Sequence, residues 1–543
     1  MKKTLIFERK GKKILIPAKD WDIQKDIKKA RALGKEPVTQ VPVIKKERYE
    51  EIEVYRIKEE AYVRVLYDHE TNEYIYESIE PQLTPREEEL YKEIKFELIK
   101  TMEYNFKEEI RSEKENYIKN MVDELIEKKG LFIDDVVRKR IKYYAIRDFI
   151  GFGLIDIIMT DPYIEDISCD GPRIPIFVVH KKYESMKTNT IFESEFELDA
   201  FVIGIAQRCG KHISVAEPMI DATLPDGSRL QTTLAKEVTT RGSSFTIRRF
   251  REKPMTPSDL IRTKTMSAEM VAYLWHAVEM GESIVVCGGT ASGKTTTMNA
   301  ILLFVPPQMK IITIEDTREI NLPHENWIAG LTRSGFGERG KDGKLAGEID
   351  MYELLRAALR QRPQYLVVGE VRGIETYTMF QAMATGHTVY STMHADSVKS
   401  MVYRLENPPI NLPRILLTSL NVVIIQGQVK VGKGIARRVK NIVEIVGLEP
   451  ETNELATNII YTWNVADDTF SFGGHSFLFE RIMGLKNLTR SQMIEEFKRR
   501  IEIIEWMGKK DIKDYVEVAK IVSGYYKDPA AIMKIVRKEL YER

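Results

Sequence analysis

The sequence is poor in cysteine. Only Cys169, Cys209 and Cys287 occur in its 543 residues, too far apart for a CxxC pair, so a disulfide framework and a zinc knuckle are excluded and buried thiols in a reducing compartment are expected. It also lacks a long apolar run. No segment approaches the ~18 apolar residues of a spanning helix, and the N-terminus MKKTLIFERKGKKILIP has no signal-peptide core, which predicts a cytosolic protein whose membrane contact is peripheral. Nor is there a charge excess. The 82 Lys and Arg balance 81 Asp and Glu to a net charge of +1, which argues against a protein that coats nucleic acid. No repeat of solenoid or propeller period is visible.

The chain is long, and it is charged. Its 543 residues exceed a single core and predict about three domains. Charged residues make up 30% and hydrophobic ones 43%, a globular balance that also suits surface ion-pair networks at high temperature. The even total conceals a basic head, since residues 1–48 hold 15 Lys and Arg against 6 Asp and Glu. Two readings stand for it: a solvated tail, or a segment that docks on anionic lipid or on an acidic loop of a partner.

Pattern then divides the chain. Residues 1–60 are the basic segment. In 61–150, the alternation at Tyr62, Arg64 and Leu66 with turn residues at Asp68 to Asn72 predicts a hairpin, and Thr84, Pro85 and Glu87 form a helix start followed by Leu90, Ile94, Leu98 and Met102. Further amphipathic segments, one ending at Lys129–Gly130 and one carrying Val137, Ile141, Ala145 and Phe149, complete a helical bundle. Residues 151–250 mix short strands with a helix near Ala200–Cys209, as in a compact α/β domain. The prolines of REKPMTPSD mark 251–260 as a linker. A domain over 261–480 opens with a helix capped by Ser267 and ending at Gly281, and helices fill 481–543.

The chemistry gathers in the domain at 261–480. The stretch IVVCGGTASGKTTTMNAIL reads as strand, glycine turn and helix, and Gly288-x4-Gly293-Lys294-Thr295 satisfies the phosphate-loop pattern. Backbone N–H groups of Gly288, Gly289, Thr290, Ala291, Ser292, Gly293, Lys294, Thr295 and Thr296 would make an anion nest at the helix N-terminus. Lys294 would reach the outer phosphates of ATP, and Thr295 would ligate Mg2+. Three apolar strands end in polar residues: KIITIEDTRE in Glu315 and Asp316, YLVVGEVRG in Glu370, HTVYSTMH in His394. Ligands of open parallel sheets sit beyond the strands' carboxyl ends, so these residues are expected to converge on the same phosphates. Phosphoryl transfer needs orientation and charge neutralisation. Glu370 is the candidate for polarising the attacking water, directly or through the metal shell; Glu315 assists, and His394 hydrogen-bonds the γ-phosphate. His387 would do the same from the other end of its strand, or is a satisfied core residue. Beyond Lys294 the transition state lacks an obvious cation, for which Arg356, Arg360, Arg362 and Arg372 are near in sequence and Arg229, Arg241, Arg248 and Arg249 lie before the linker.

In order, GGTASGKTTT, ITIEDTREI, LRAALRQRPQYLVVGEVRG and GHTVYSTMHADS resemble the Walker A, Asp box, Walker B and His box of the type II/type IV secretion ATPase superfamily, over roughly residues 150–480. The resemblance implies an α/β fold: a RecA-like P-loop ATPase core behind an N-terminal helical bundle and α/β domain. It implies a homo-hexameric ring at the inner face of the cell membrane, and catalytic boxes holding Glu315, Glu370, His387 and His394. LPDGSRLQ and FTIRRF resemble the arginine-bearing part of the family's N-terminal domain, making Arg229 and Arg248 nucleotide contacts. IEDTREI, YSTMHADS and the missing tetracysteine element look archaeal, and the long N-terminal extension is most similar to the archaellum (archaeal flagellum) motor ATPase, which works through a polytopic membrane partner and other motor components. An archaeal type IV pilus or secretion ATPase is the alternative. Gln364 departs from the aspartate of many relatives, which bears on helix–strand packing more than on chemistry. A DNA-translocating RecA-type ATPase would need a basic, aromatic channel, and GERGKDGKLAGE offers only mixed charge, so no nucleic-acid partner is expected. A non-catalytic scaffold would not need Lys294, Thr295, Glu315 and Glu370 together.

Overall fold

A computed structural model of the chain describes residues 4–9, 12–17, 38–39, 42, 47–101, 111–250, 253–333, 335, 346–432 and 434–541. Most of the basic head, Met102 and most of the loop Gly337–Glu348 lie outside the described residues. The chain divides into two compact units, Met1–Arg249 and Phe250–Arg543.

In the first unit β1 (Thr4–Arg9) and β2 (Lys12–Pro17) pair as a separate antiparallel ribbon. Strands β3 (Tyr49–Arg56), β4 (Tyr62–Asp68) and β5 (Glu73–Ile79) form a meander. Helices Pro85–Thr101, Arg111–Lys128 and Asp135–Phe149 follow, and bury Tyr91, Ile94, Leu98, Ile118, Val122, Ile126, Ile141 and Ala145 against one another. The first helix starts on a reciprocal cap: the Thr84 N–H donates to Glu87 at 2.8 Å and the Glu87 N–H to the Thr84 hydroxyl at 3.3 Å. Then come β6 (Ile164–Cys169), β7 (Pro175–His180), β8 (Glu184–Ile191), a helix over Glu195–Arg208, β9 (Met219–Thr223), β10 (Arg229–Thr233) and β11 (Ser244–Arg248).

These strands make one nine-stranded sheet in the order β3-β4-β5-β8-β7-β6-β11-β10-β9, antiparallel except where β5 meets β8. The expected divisions at 60/61 and 150/151 therefore need correction. The meander β3–β5 crosses the first and belongs to the same sheet as β6–β11, because its alternating apolar residues, such as Val63, Val65 and Tyr76, share the core of Ile167, Val178 and Phe245. β3 was not legible as a strand because it is a Glu-rich edge strand, whose exposed charges also block further pairing.

The second unit holds β12 (Ile284–Gly288), β13 (Ile311–Glu315), β14 (Trp327–Leu331), β15 (Tyr365–Glu370), β16 (Thr388–Met393), β17 (Val422–Val431), β18 (Gly434–Leu448), β19 (Leu455–Asn464) and β20 (Thr469–Phe472). Their order is β14-β13-β15-β16-β12-β17-β18-β19-β20, parallel from β14 to β17 and antiparallel beyond. One strand, β16, separates the glycine-loop strand β12 from β15, and the core is RecA-like, as the resemblance implies. Strand β12 is buried along its whole length, as a central parallel strand requires.

The helix Ala268–Glu279, capped by the Ser267 hydroxyl, is apolar almost all round because it is covered on both sides, by the sheet and by the helix Arg490–Lys509. The C-terminal helices thus build the core rather than append to it, and the first of them, Phe477–Lys486, straddles the expected border at 480/481. The expected linker is likewise shorter: the units divide at Arg249/Phe250, and Thr256 with Asp259 makes a capping box for a helix over Pro257–Arg262. All three cysteines are free, and burial pushes Cys169, Cys209 and Cys287 up to about 11, 11 and 12. Among the described residues no helix is long and apolar enough to cross a membrane.

Candidate functional site

Strand β12 feeds a turn that ends at Gly293 and opens the helix Lys294–Leu302. Its backbone is unusual, with Gly293 at φ 92° and Ala291 at φ 57°. Gly288 is obligatory on space alone, since a β-carbon there would lie 2.2 Å from the Gln426 carbonyl oxygen and 2.5 Å from Ser292 Oγ. Ser292 Oγ donates to the Gly289 carbonyl at 2.8 Å, and Lys294 Nζ folds back along the turn to the carbonyls of Gly288 (3.0 Å) and Gly289 (2.9 Å). Gly289, Thr290 and Ala291 are exposed, and Thr295 and Thr296 stand half-buried in the first helical turn. Burial pushes the Lys294 amine below its ordinary range, against the pull of the Glu370 charge.

Parallel register brings the other strand ends to the same edge. Cys287 pairs with Met393, Glu370 with Thr392, and Ile314 with Val368, so Gly288, His394, Glu370 and Glu315 leave the sheet side by side. One Glu370 oxygen accepts from Arg372 at 2.7 Å. The other lies 2.7 Å from His394 Nε2 without a formed hydrogen bond. Burial raises the Glu370 carboxyl, but Arg372, by hydrogen bond and charge, then His394 and Lys294 hold it below the usual carboxylate range. His394 is driven down by burial and by the Lys294 charge, so its imidazole stays neutral and can donate without fixed charge.

Glu315 differs from Glu370. It is 2% exposed and accepts the N–H groups of Glu319 (2.9 Å) and Ile320 (3.0 Å) through one oxygen, while the other is buried without a partner. Burial outweighs those two bonds and pushes its carboxyl up to about 7. Gly369 packs against it, with room for a β-carbon only at 3.4 Å from Glu315 Cγ. One carboxylate held ionised beside another poised near neutrality is an arrangement for orienting water and receiving its proton.

Not every candidate joins this edge. His387 precedes β16 at the amino ends of the parallel strands, half-buried beside a cleft of about 430 Å³ lined by Glu279, Gln364 and Tyr365, so within one chain it is separated from Lys294 by the length of the strand. Gln364 also sits at that end, where its Oε1 accepts the Lys310 N–H at 2.8 Å and ties the starts of β13 and β15. Arg356 lies over the ring of Tyr352. Arg229 and Arg248 belong to the first unit, where they face each other across β10 and β11, next to Asp221 and Asp166. Like charges directly opposite are unfavourable, and each arginine here has a carboxylate beside it.

Sequence reasoning missed the contribution of β17 and β18. Gln428 Nε2 and Arg437 Nε both donate to the Ala291 carbonyl, at 3.2 and 2.9 Å. The available signal was the Arg437–Arg438 pair in a strand, whose neighbours must point to opposite faces.

The glycine cradle, the lysine and the helix start fit a phosphate chain. A hard-oxygen pair, the Thr295 hydroxyl and the Glu370 carboxylate, fits Mg2+ held jointly with phosphates. Among the described residues there is no cluster of three or more His, Cys, Asp or Glu that could hold a metal ion.

A family model described as type II/IV secretion system protein matches residues 189–458. The chain is 40% identical over 393 residues to an uncharacterised protein of Methanocaldococcus jannaschii, covering 72% of this chain and 70% of that one. It is 32% identical over 278 residues to the type IV secretion system protein PtlH of Bordetella pertussis, covering 45% and 80%. Among solved structures it is similar to the VirB11 ATPase of the Brucella suis type IV secretion system, with 25% identity, 52% and 89% coverage and a TM-score of 0.27.

Proposed function

The chain belongs to the type II/IV secretion ATPase superfamily, and on that premise we propose that it hydrolyses ATP to drive the assembly, rotation or both of an archaellum. It acts as a homo-hexamer, peripheral at the inner face of the membrane, through a polytopic membrane partner and other motor components. The observation that carries the reading is the convergence of Lys294, Glu370 and His394 beside a glycine cradle at one edge of a parallel sheet. Residues Gly288 to Thr296 wrap the phosphates, and Lys294 leaves its two carbonyls to pair with the outer ones. Thr295 and Glu370 would hold Mg2+, which would supply positive charge against the phosphates. Glu370 orients the attacking water, Glu315 takes up its proton, and His394 donates to the γ-phosphate. Arg229 and Arg248 supply further cations from the first unit, and the basic head docks on anionic lipid.

The archaeal branch is supported by the extended match to the Methanocaldococcus jannaschii protein; the match to PtlH favours the alternative, an archaeal pilus or secretion ATPase. Phosphate release from ATP and Mg2+ by the full chain, with and without its membranes, tests the activity, and no release under either condition sinks it. A deletion strain that keeps its archaella but loses pili or secretion would replace the archaellum by the alternative.

A further inference from the structure

We propose that Arg437 and Gln428 are positioning residues that lock the crest of the phosphate loop in its nucleotide-binding shape and so set the affinity for ATP. The inference rests on the reading that this loop binds ATP, and adds to it a clamp supplied from 137 and 146 residues downstream.

The crest needs a clamp. Ala291 holds φ at 57°, in the left-handed region that a side chain resists and that only glycine enters freely. Its carbonyl is where the two donors meet, Arg437 Nε at 2.9 Å and Gln428 Nε2 at 3.2 Å. The same strands crowd the next bend. A β-carbon on Gly293 would lie 3.0 Å from Gln426 Nε2 and 3.3 Å from Arg437 Cδ, so the side chains of β17 and β18 pack onto the loop from Ala291 to Gly293.

The clamp is itself anchored. Strand β17 lies parallel to β12, with Gln426 paired to Gly288. On β18 the neighbouring Arg438 points the other way, is 4% exposed, and is gripped by both oxygens of Asp468 (2.8 and 2.9 Å) and by the Thr263 carbonyl (3.0 Å). With the backbone fixed on that side, strand alternation leaves Arg437 aimed at the loop. A nest of N–H groups binds phosphate only while its φ angles alternate correctly, so holding Ala291 pre-organises the site before ligand arrives.

The test is a comparison of ATP affinity and turnover in the full chain. R437A should raise KM and the dissociation constant for ATP about tenfold and Q428A about threefold, with kcat within about twofold, the pattern of lost uniform binding. Introducing A291G into R437A should recover most of the affinity, measured against A291G alone, because glycine needs no clamp to occupy the left-handed region. Thermal melting checks that each variant is folded, and Q428A carries the test should R437A fail it. Unchanged affinity in both variants, a loss confined to kcat, or no recovery with A291G overturns the clamp. Failure of the unaltered chain to bind or hydrolyse ATP would instead overturn the reading beneath it.

Discussion

His387 and His394 stand at the two ends of one strand, β16, yet their surroundings differ in kind. Around His394 the chain gathers Glu370, Lys294 and Arg372, charges of both signs within reach of a glycine turn. Around His387 it gathers the starts of the same strands, the Thr385 hydroxyl at 3.4 Å and a cleft of mixed lining. The strand is buried between them, so it spaces the two histidines without linking their chemistry. In a parallel sheet the crossovers deliver every helix N-terminus to one edge, and the N–H groups there attract anions. Polar residues at that edge become a site, while equally polar residues at the other edge become surface.

The contrast breaks most violently at Lys294. K294A removes the cation that meets the outer phosphates, and turnover should fall by about a thousandfold or more in a phosphate-release assay. E370Q keeps the shape of the carboxylate and loses its charge. Binding of ATP should persist while hydrolysis drops by several hundredfold or so, and unaltered hydrolysis would remove Glu370 from its role. H394A should cost about tenfold to a hundredfold, since a neutral donor to a charged oxygen contributes less than a fixed cation.

Local features of this edge were readable in the sequence because they rest on neighbours in the chain. The glycine turn, the Thr84–Glu87 box and the Ser267 cap each involve residues within a few positions of one another. Strand ends at Glu315, Glu370 and His394 were readable because apolar runs stop there, and the parallel register does the rest. The clamp on Ala291 was not, for its donors come from strands 137 and 146 residues further along the chain, beyond four intervening strands and the helices between them. The acidity of Glu315 was equally hidden, as it follows from 2% exposure and one orphaned oxygen rather than from residue type. The division of the first unit failed for a related reason: β5 joins β8 across more than a hundred residues, and no pattern in either strand announces the other.

Glu315 sharpens the comparison through pH. Its folded carboxyl titrates near about 7 against an ordinary 4.5, raised by burial, so the folded chain holds a proton that the unfolded chain releases. The sign follows: this residue favours the folded state fully below pH ~4.5, and that contribution is lost as pH rises through ~7, about 3 kcal/mol in all. E315Q should therefore be the more stable protein at pH 8 and gain little at pH 5, in thermal melts without nucleotide. Activity runs the other way. If the ionised carboxylate receives the proton of water, turnover should fall as pH drops through about 7, and E315Q should be about tenfold slower at pH 8 with that limb flattened.

H387A carries the smallest expected effect and tests the premise most directly. The six residues of β16 separate it from His394, about 20 Å at the rise of a strand. An alanine at that distance leaves Lys294, Glu370 and His394 where they are, so the turnover of isolated single chains should change by about twofold or less. A loss as large as that of H394A, appearing only when chains associate, would mean that the amino edge of one copy serves the phosphates of another. The two ends of β16 would then be halves of one site divided between neighbouring copies, and the contrast drawn from a single chain would give way to one drawn across the ring.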